Sequence, residues 1–176
     1  MKKLILYIAM SLDGFIAGPD DDLSFLSAVE QEGEDYGYAR FCETVDTVII
    51  GRKSYEKVIT MCGQYPHSDK QVYVITRTPQ PSENNIHFFS GDLKELVQQL
   101  KATGTNNIYC DGGGEIARLL LHQGLIDEMI LSIIPVILTA GTALFAGLSS
   151  KNPLTLIGAE SFKSGLVQLH YQLPAQ

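Results

Sequence analysis

The chain has 176 residues, 45% of them hydrophobic and 19% charged, and a formal net charge of −7 at pH 7. That length suits one domain spanning residues 1–176 with a substantial core, and the composition excludes extensive disorder. The acidic balance, with no basic cluster, argues against a nucleic-acid or membrane-surface partner, so any bound anion has to be held by local chemistry.

Lys3–Ala9 predicts a buried first strand. Two lysines and Ala9-Met10-Ser11 faintly imitate a secretory leader, but the apolar run is minimal and stops at Ser11-Leu12-Asp13-Gly14, which favours the strand. Gly33–Val45 predicts a helix, with Tyr36, Ala39 and Arg40 one turn apart. Thr47–Ile50 predicts a short buried strand, and Arg52–Thr60 a helix beginning directly after it. Gln71–Thr76 and Ile86–Phe89 predict strands on either side of the turn-rich TPQPSENN.

Asp92–Lys101 carries the clearest helical pattern, with Leu93, Leu96, Val97 and Leu100 in one stripe. Asp92 and Glu95 form a capping-box start, and Gly104 lies just past the end. Asn107–Cys110 predicts a strand, Glu115–His122 a helix stopped at Gly124, and Glu128–Val136 a long apolar strand. Leu154–Phe162 and Leu166–Leu173 flank Lys163-Ser164-Gly165 as an antiparallel hairpin. Strands alternating with helices predict an α/β fold: a mostly parallel sheet of about eight strands flanked by about four helices. No apolar run reaches the ~20 residues that span a bilayer. Cys42, Cys62, Cys110 and the four histidines are scattered, so neither a disulfide framework nor a metal site is expected. A reducing cytoplasm is the natural setting.

The chemistry concentrates at strand ends. In YCDGGGEIA (109–117), three glycines separate a strand from a helix. Bare N–H groups at a helix start attract phosphate, and three adjacent glycines exceed what a tight turn needs. Gly112-x-Gly114-x-x-Ala117 formally fits the dinucleotide fingerprint. Its context is wrong for that motif, because two-thirds of the chain precedes it and the next strand ends at Pro135-Val136. A P-loop motif is absent. A second strand-turn-helix, DTVIIGRKSYE, follows Gly51 with Arg52, Lys53 and Ser54. Cations at a helix N-terminus oppose the macrodipole, which points to a second anion. A third strand ends at Thr76-Arg77. Together they imply a ligand with several phosphates spread along one sheet edge.

These motifs, with MSLDGFIAG (10–18), resemble the dihydrofolate reductase-like superfamily over essentially the whole chain. The nearest branch is the C-terminal reductase domain of the riboflavin biosynthesis enzyme RibD. VIIGRKSYE (48–56) and YCDGGGEIA match two further motifs of the superfamily, in order and at fitting spacings. The resemblance implies NADPH as cofactor. Gly112, Gly113, Gly114, Glu115 and Ile116 would cradle the diphosphate, and Gly51 and Ser54 belong to the matching turn. Arg52, Lys53, Thr76 and Arg77 would hold the adenosine 2′-phosphate side. Ala9, Ile16 and Ala17 would border the nicotinamide, with residues 11–22 as a mobile lid.

By the family's spacing Asp35 takes the place of the proton-handling carboxylate, although Glu32 and Glu34 beside it also allow a solvated acidic helix start. Asp13 stands either as a second catalytic group or as a turn former. Lys70 lies near the place of the folate tail's arginine. The chain has no tryptophan, and Phe25 is the residue available to replace that of the lid. The resemblance implies an NADPH-dependent reductase passing hydride to a small pterin- or pyrimidine-like heterocycle. The alternative is a dinucleotide-binding protein without turnover. The apolar run Leu131–Ile137 and the branch's habit of dimerising predict a homodimer.

Overall fold

Leu4 and Leu6 have no accessible surface, because the strand they occupy, β1 (Leu4–Ser11), sits in the interior of a large sheet. The computed structural model describes residues 2–103, 105–148 and 153–174. After β1 come β2 (Phe15–Ala17), two short 3-10 helices, α1 (Tyr38–Cys42), β3 (Val45–Gly51), α2 (Arg52–Cys62), β4 (Gln71–Ile75) and β5 (Ile86–Phe89). The chain continues through α3 (Leu93–Ala102), β6 (Asn107–Cys110), α4 (Gly114–His122), β7 (Glu128–Ile134), β8 (Thr142–Ala143), β9 (Thr155–Ser161) and β10 (Val167–Gln172). Among the described residues, no helix is long and apolar enough to cross a membrane.

Eight strands form one sheet in the order β5-β4-β3-β6-β1-β7-β10-β9, and β2 pairs with β8 beside it. The first six are parallel. The closing hairpin β9–β10 adds two antiparallel strands. This is the mostly parallel, helix-flanked sheet expected of the dihydrofolate reductase-like fold. Because β6 fills the slot between β3 and β1, the helices that follow β3 and β6 start side by side at one sheet edge. That reversal of strand order is where open α/β sheets bind ligands.

Each face of the sheet has its own core. On one side Leu4, Leu6 and Met10 pack against the Leu93-Leu96-Val97-Leu100 stripe of α3 and against Ile116, Ala117 and Leu120 of α4. On the other, Ile5, Val48, Ile50 and Tyr109 pack against Phe41 of α1 and Tyr55 of α2. At the opposite sheet edge from the strand ends, Asp46 accepts hydrogen bonds from the backbone N–H groups of Thr105 (3.0 Å) and Asn106 (2.9 Å) and pairs with Lys2.

The α3 start is as expected: Asp92 Oδ1 accepts the Glu95 N–H at 3.0 Å. Gly104 lies outside the described residues. The helix expected over Gly33–Val45 is only Tyr38–Cys42. Gly33, Tyr36 and Gly37 have φ of 78°, 55° and 77°, a left-handed path that no right-handed helix can follow. In the apolar run Leu131–Ile137, β7 lies between β1 and β10 and buries Leu131 and Ile134, while Ile137, just past the strand, is 65% exposed. Phe25 is also a core residue, packed with Val29, Ile134 and Leu166.

Candidate cofactor and substrate site

Gly112, Gly113 and Gly114 form a seam between two helix starts. The Gly51 N–H donates to the Gly112 carbonyl at 3.4 Å. A Cβ on Gly113 would stand 2.8 Å from Ser54 Oγ, and Gly113 itself has φ of +84°. A Cβ on Gly114 would meet Thr142 Cγ2 at 2.8 Å and Ile16 Cδ1 at 3.0 Å, and one on Gly51 would meet Ile116 Cγ1 at 3.0 Å. Gly51, Ser54, Gly112, Gly113, Gly114, Ile116 and Ile16 are thus brought together as the motifs imply. The fold itself has a use for the glycines at Gly113 and Gly114, as close-approach points between elements.

The ends of these two helices are chemically unusual. The side chain of Asp92 caps α3, but no side chain caps α2 or α4. The first N–H groups of both helices therefore lack side-chain acceptors at adjoining positions, which is the donor set a diphosphate uses. The residues present fit the diphosphate of NADPH.

The cations at this edge are already engaged. Arg52 Nη1 binds both carboxylate oxygens of Glu56, at 2.7 and 2.9 Å. Arg77, almost fully exposed, pairs with Glu115, so two expected site residues from different strand ends meet. Lys53 is exposed. Thr76 is buried, and its hydroxyl closes a local turn with Thr78, at 3.1 Å to the carbonyl and 3.2 Å from the N–H.

On the opposite face of β1 lies an open cavity of about 370 Å³. Ala9, Tyr7, Tyr38, Leu26, Ile134 and Ser132 contribute to its walls, and Asp35 stands at its rim. Ala17 is buried in β2 and Ile16 lies over Gly114. At the cavity floor the Tyr7 hydroxyl donates to the Tyr36 carbonyl at 3.1 Å and accepts from Gln168 Nε2 at 2.8 Å. The same amide reaches Ser132 Oγ at 3.2 Å. Burial raises the Tyr7 pKa, against the hydrogen bonds of Gln168 and Ser132.

Asp35 caps the turn into α1: its carboxylate accepts the N–H groups of Gly37 and Ala39, both at 2.9 Å. The Ala39 bond, followed by that of Gly37, holds its pKa below the ordinary carboxylate range. Asp13 accepts from Ser11 Oγ at 2.6 Å and from the N–H groups of Leu138 and Thr139 at 3.1 and 2.8 Å. It ties the β1–β2 turn to the loop after β7 and stands outside the cavity lining. Lys70 is paired with Asp69 and is also outside it.

The profile of the RibD C-terminal domain family matches residues 2–168. The chain belongs to that family. An uncharacterised Bacillus subtilis (strain 168) protein, YwjB, is 39% identical over 171 residues covering 97% of each chain. The crystal structure of a Shewanella sp. PV-4 protein, provisionally assigned to riboflavin biosynthesis, superposes with a TM-score of 0.89 at 31% identity over 98% of this chain and 99% of that one. A Thermotoga maritima enzyme shares the fold, with a TM-score of 0.75 at 14% identity, over 98% of this chain and 57% of its own. It is named a diaminohydroxyphosphoribosylaminopyrimidine deaminase/5-amino-6-(5-phosphoribosylamino)uracil reductase. The family is one of reductase domains, which places this chain with the oxidoreductases.

One constellation of this RibD-type domain escapes the motif reading. Asp111, directly before the glycines, accepts hydrogen bonds from Tyr65 and from Tyr109 (2.6 Å). Tyr109 is 3.4 Å from the Tyr38 hydroxyl, which in turn meets His67 Nε2 at 2.8 Å. Burial raises the Asp111 carboxyl above its usual range, although both tyrosine hydroxyls pull it down. Burial likewise lowers the pKa of His67. The signal available in the sequence was small: an acidic residue at a strand end, two positions after Tyr109.

Proposed function

We propose that the protein is an NADPH-dependent reductase that transfers hydride to a small heterocycle of the pterin or ribosylaminopyrimidine type. The observation that carries this reading is the seam at Gly51 and Gly113. Two helices without side-chain caps start there, one strand away from the β1 residues that line the cavity.

The N–H groups of Gly114, Glu115 and Ile116, with those following Gly51, would hold the diphosphate. Arg52, Lys53 and Arg77 would meet the 2′-phosphate beside Thr76, and Ala9, Ile16 and Ala17 would border the nicotinamide. Bound NADPH supplies the hydride. Asp35, kept ionised by its two backbone donors, serves at the rim as a hydrogen-bond acceptor for an N–H of the substrate rather than as an acid. Asp13 holds the loop after β7 in place, which orients the β1 end of the site.

We also read the protein as a homodimer, joined at the β9 edge of the sheet. Leu156 and Ile157 there are 54% and 48% exposed, more than an edge strand usually leaves uncovered.

Calorimetric titration with NADPH, followed by NADPH oxidation against a panel of pterins, pyrimidines and flavin precursors, tests the reading. Binding with oxidation in the presence of one class of heterocycle is expected. Binding without oxidation by any member would favour the non-catalytic alternative, and absence of NADPH binding would overturn the assignment of the seam.

A further inference from the structure

The cavity beside Ala9 carries charge of one sign only. Glu30, Glu34 and Asp35 stand at its rim, and among the described residues no Lys, Arg or His lines it. Two of the three carboxylates are held by backbone: Asp35 by Gly37 and Ala39, and Glu34 by the Tyr36 N–H at 2.8 Å. The cation that acts on Asp35 is Arg40, exposed on α1 and outside the lining.

The cavity also lacks a neutral phosphate cradle. The helices that border it, the 3-10 helix Ser24–Val29 of six residues and α1 of five, are both too short to build a macrodipole, and the first turn of α1 is already bonded to Asp35. On the floor, the Tyr7 hydroxyl is committed to the Tyr36 carbonyl and the Gln168 amide is shared between Tyr7 and Ser132. A phosphate monoester needs guanidinium, ammonium or several free N–H donors, and the cavity offers none of these. Apart from Arg40 on α1, the cations considered for phosphate lie on α2 and after β4, with Arg52, Lys53 and Arg77.

We propose, on the reading that this cavity is the substrate site, that it takes an unphosphorylated, neutral or cationic heterocycle whose N–H groups are accepted by the rim carboxylates. Phosphate recognition is thereby confined to the cofactor seam. The phosphoribosyl compound named for the Thermotoga enzyme is then a poor ligand, and its dephosphorylated form a better one.

The test uses that matched pair, 5-amino-6-ribosylaminouracil with and without its 5′-phosphate, titrated into the full chain saturated with NADPH. The dephosphorylated member should bind at least ~10-fold tighter at low salt, with the advantage shrinking as salt rises. It should shrink again in Glu30→Gln/Glu34→Gln, two exposed positions whose loss leaves the Asp35 cap intact. Equal or tighter binding of the phosphorylated member at low salt overturns the proposal. Ser27→Trp, at the exposed mouth, separates this from the underlying reading, because it should weaken both members. Binding of the pair that Ser27→Trp leaves untouched, or no binding of either member, overturns the cavity as the substrate site.

Discussion

Arg52 and Arg77 each hold a carboxylate in the structure, so a phosphate arriving at this edge competes with Glu56 and Glu115. This sets opposite expectations for neighbouring substitutions. Arg52→Ala should weaken NADPH by ~10-fold or more, the worth of one charge-assisted hydrogen bond, and leave NADH nearly unchanged. Glu56→Gln should tighten NADPH, since it frees the guanidinium. Calorimetry of both cofactors against both variants checks the pair, and equal losses for NADPH and NADH in Arg52→Ala would assign Arg52 to the diphosphate or to structure. Asp111 makes a different prediction. Burial, against the hydrogen bonds of its tyrosine partners, raises its folded pKa above the unfolded value of 3.8. In the window between the two values the native state binds the extra proton, so wild-type stability falls as pH rises through it. Asp111→Asn removes that fall. The melting temperature of the variant relative to wild type should therefore climb as pH is raised from about 4 toward neutrality, and a difference independent of pH would contradict the raised carboxyl.

Among the elements, the glycine seam and the Asp46 anchor are the sensitive points. Gly113→Ala puts a side chain at φ +84° and 2.8 Å from Ser54 Oγ. It should cost about 1–3 kcal/mol, read as a drop of about 2–4 °C in melting temperature per kcal/mol. Adding Ser54→Gly should recover only part of this, because the backbone strain remains. Asp46 joins the start of β3 to the loop before β6. Burial opposes its ionisation, but the hydrogen bonds of Asn106, Thr47, Thr105 and Lys2 outweigh it and hold the carboxyl well below its usual range. That stabilisation is present above pH 3.8 and is lost as pH falls toward the folded value. Asp46→Ala should accordingly destabilise at neutral pH and converge with wild type in strong acid, in melts compared across pH. Legibility followed the same lines. The stripe of α3 and the strand-glycine-helix units were readable because period and punctuation are local. The loop before α1 was not, because the glycines at 33 and 37 and the left-handed Tyr36 break a pattern that spacing alone suggests. The two- and three-residue strands β8 and β2 carry no period to detect. Tyr7, Tyr38, Ser132 and Gln168 line or floor the cavity from four separate segments, so no motif announces them, whereas the cofactor residues cluster within motifs.

At the scale of the molecule, the β9–β10 hairpin leaves one end of the sheet open. Leu154, Leu156, Ile157 and Val167 are all at least 37% exposed there, in a chain whose other sheet edge is the short β5. Pairing two β9 edges about a two-fold axis would satisfy the free ladder groups and set Leu156 and Ile157 beside their counterparts in the partner strand. Light scattering at micromolar concentration is expected to give about twice the 19.3 kDa chain mass, and Ile157→Lys to return it to the monomer; monomer mass for the unaltered chain would remove the dimer. The position of β6 in the sheet has a further consequence, for biosynthesis. Both hydrogen-bonded neighbours of β1, β6 and β7, are encoded more than ninety residues after it. At translation rates of about 5–20 residues per second, the apolar segment Leu4–Met10 waits roughly 5–20 s on the ribosome before its first partner strand exists. The nascent chain therefore carries its most hydrophobic strand unpaired through over half its synthesis, which makes it a natural client for chaperones that shield such segments.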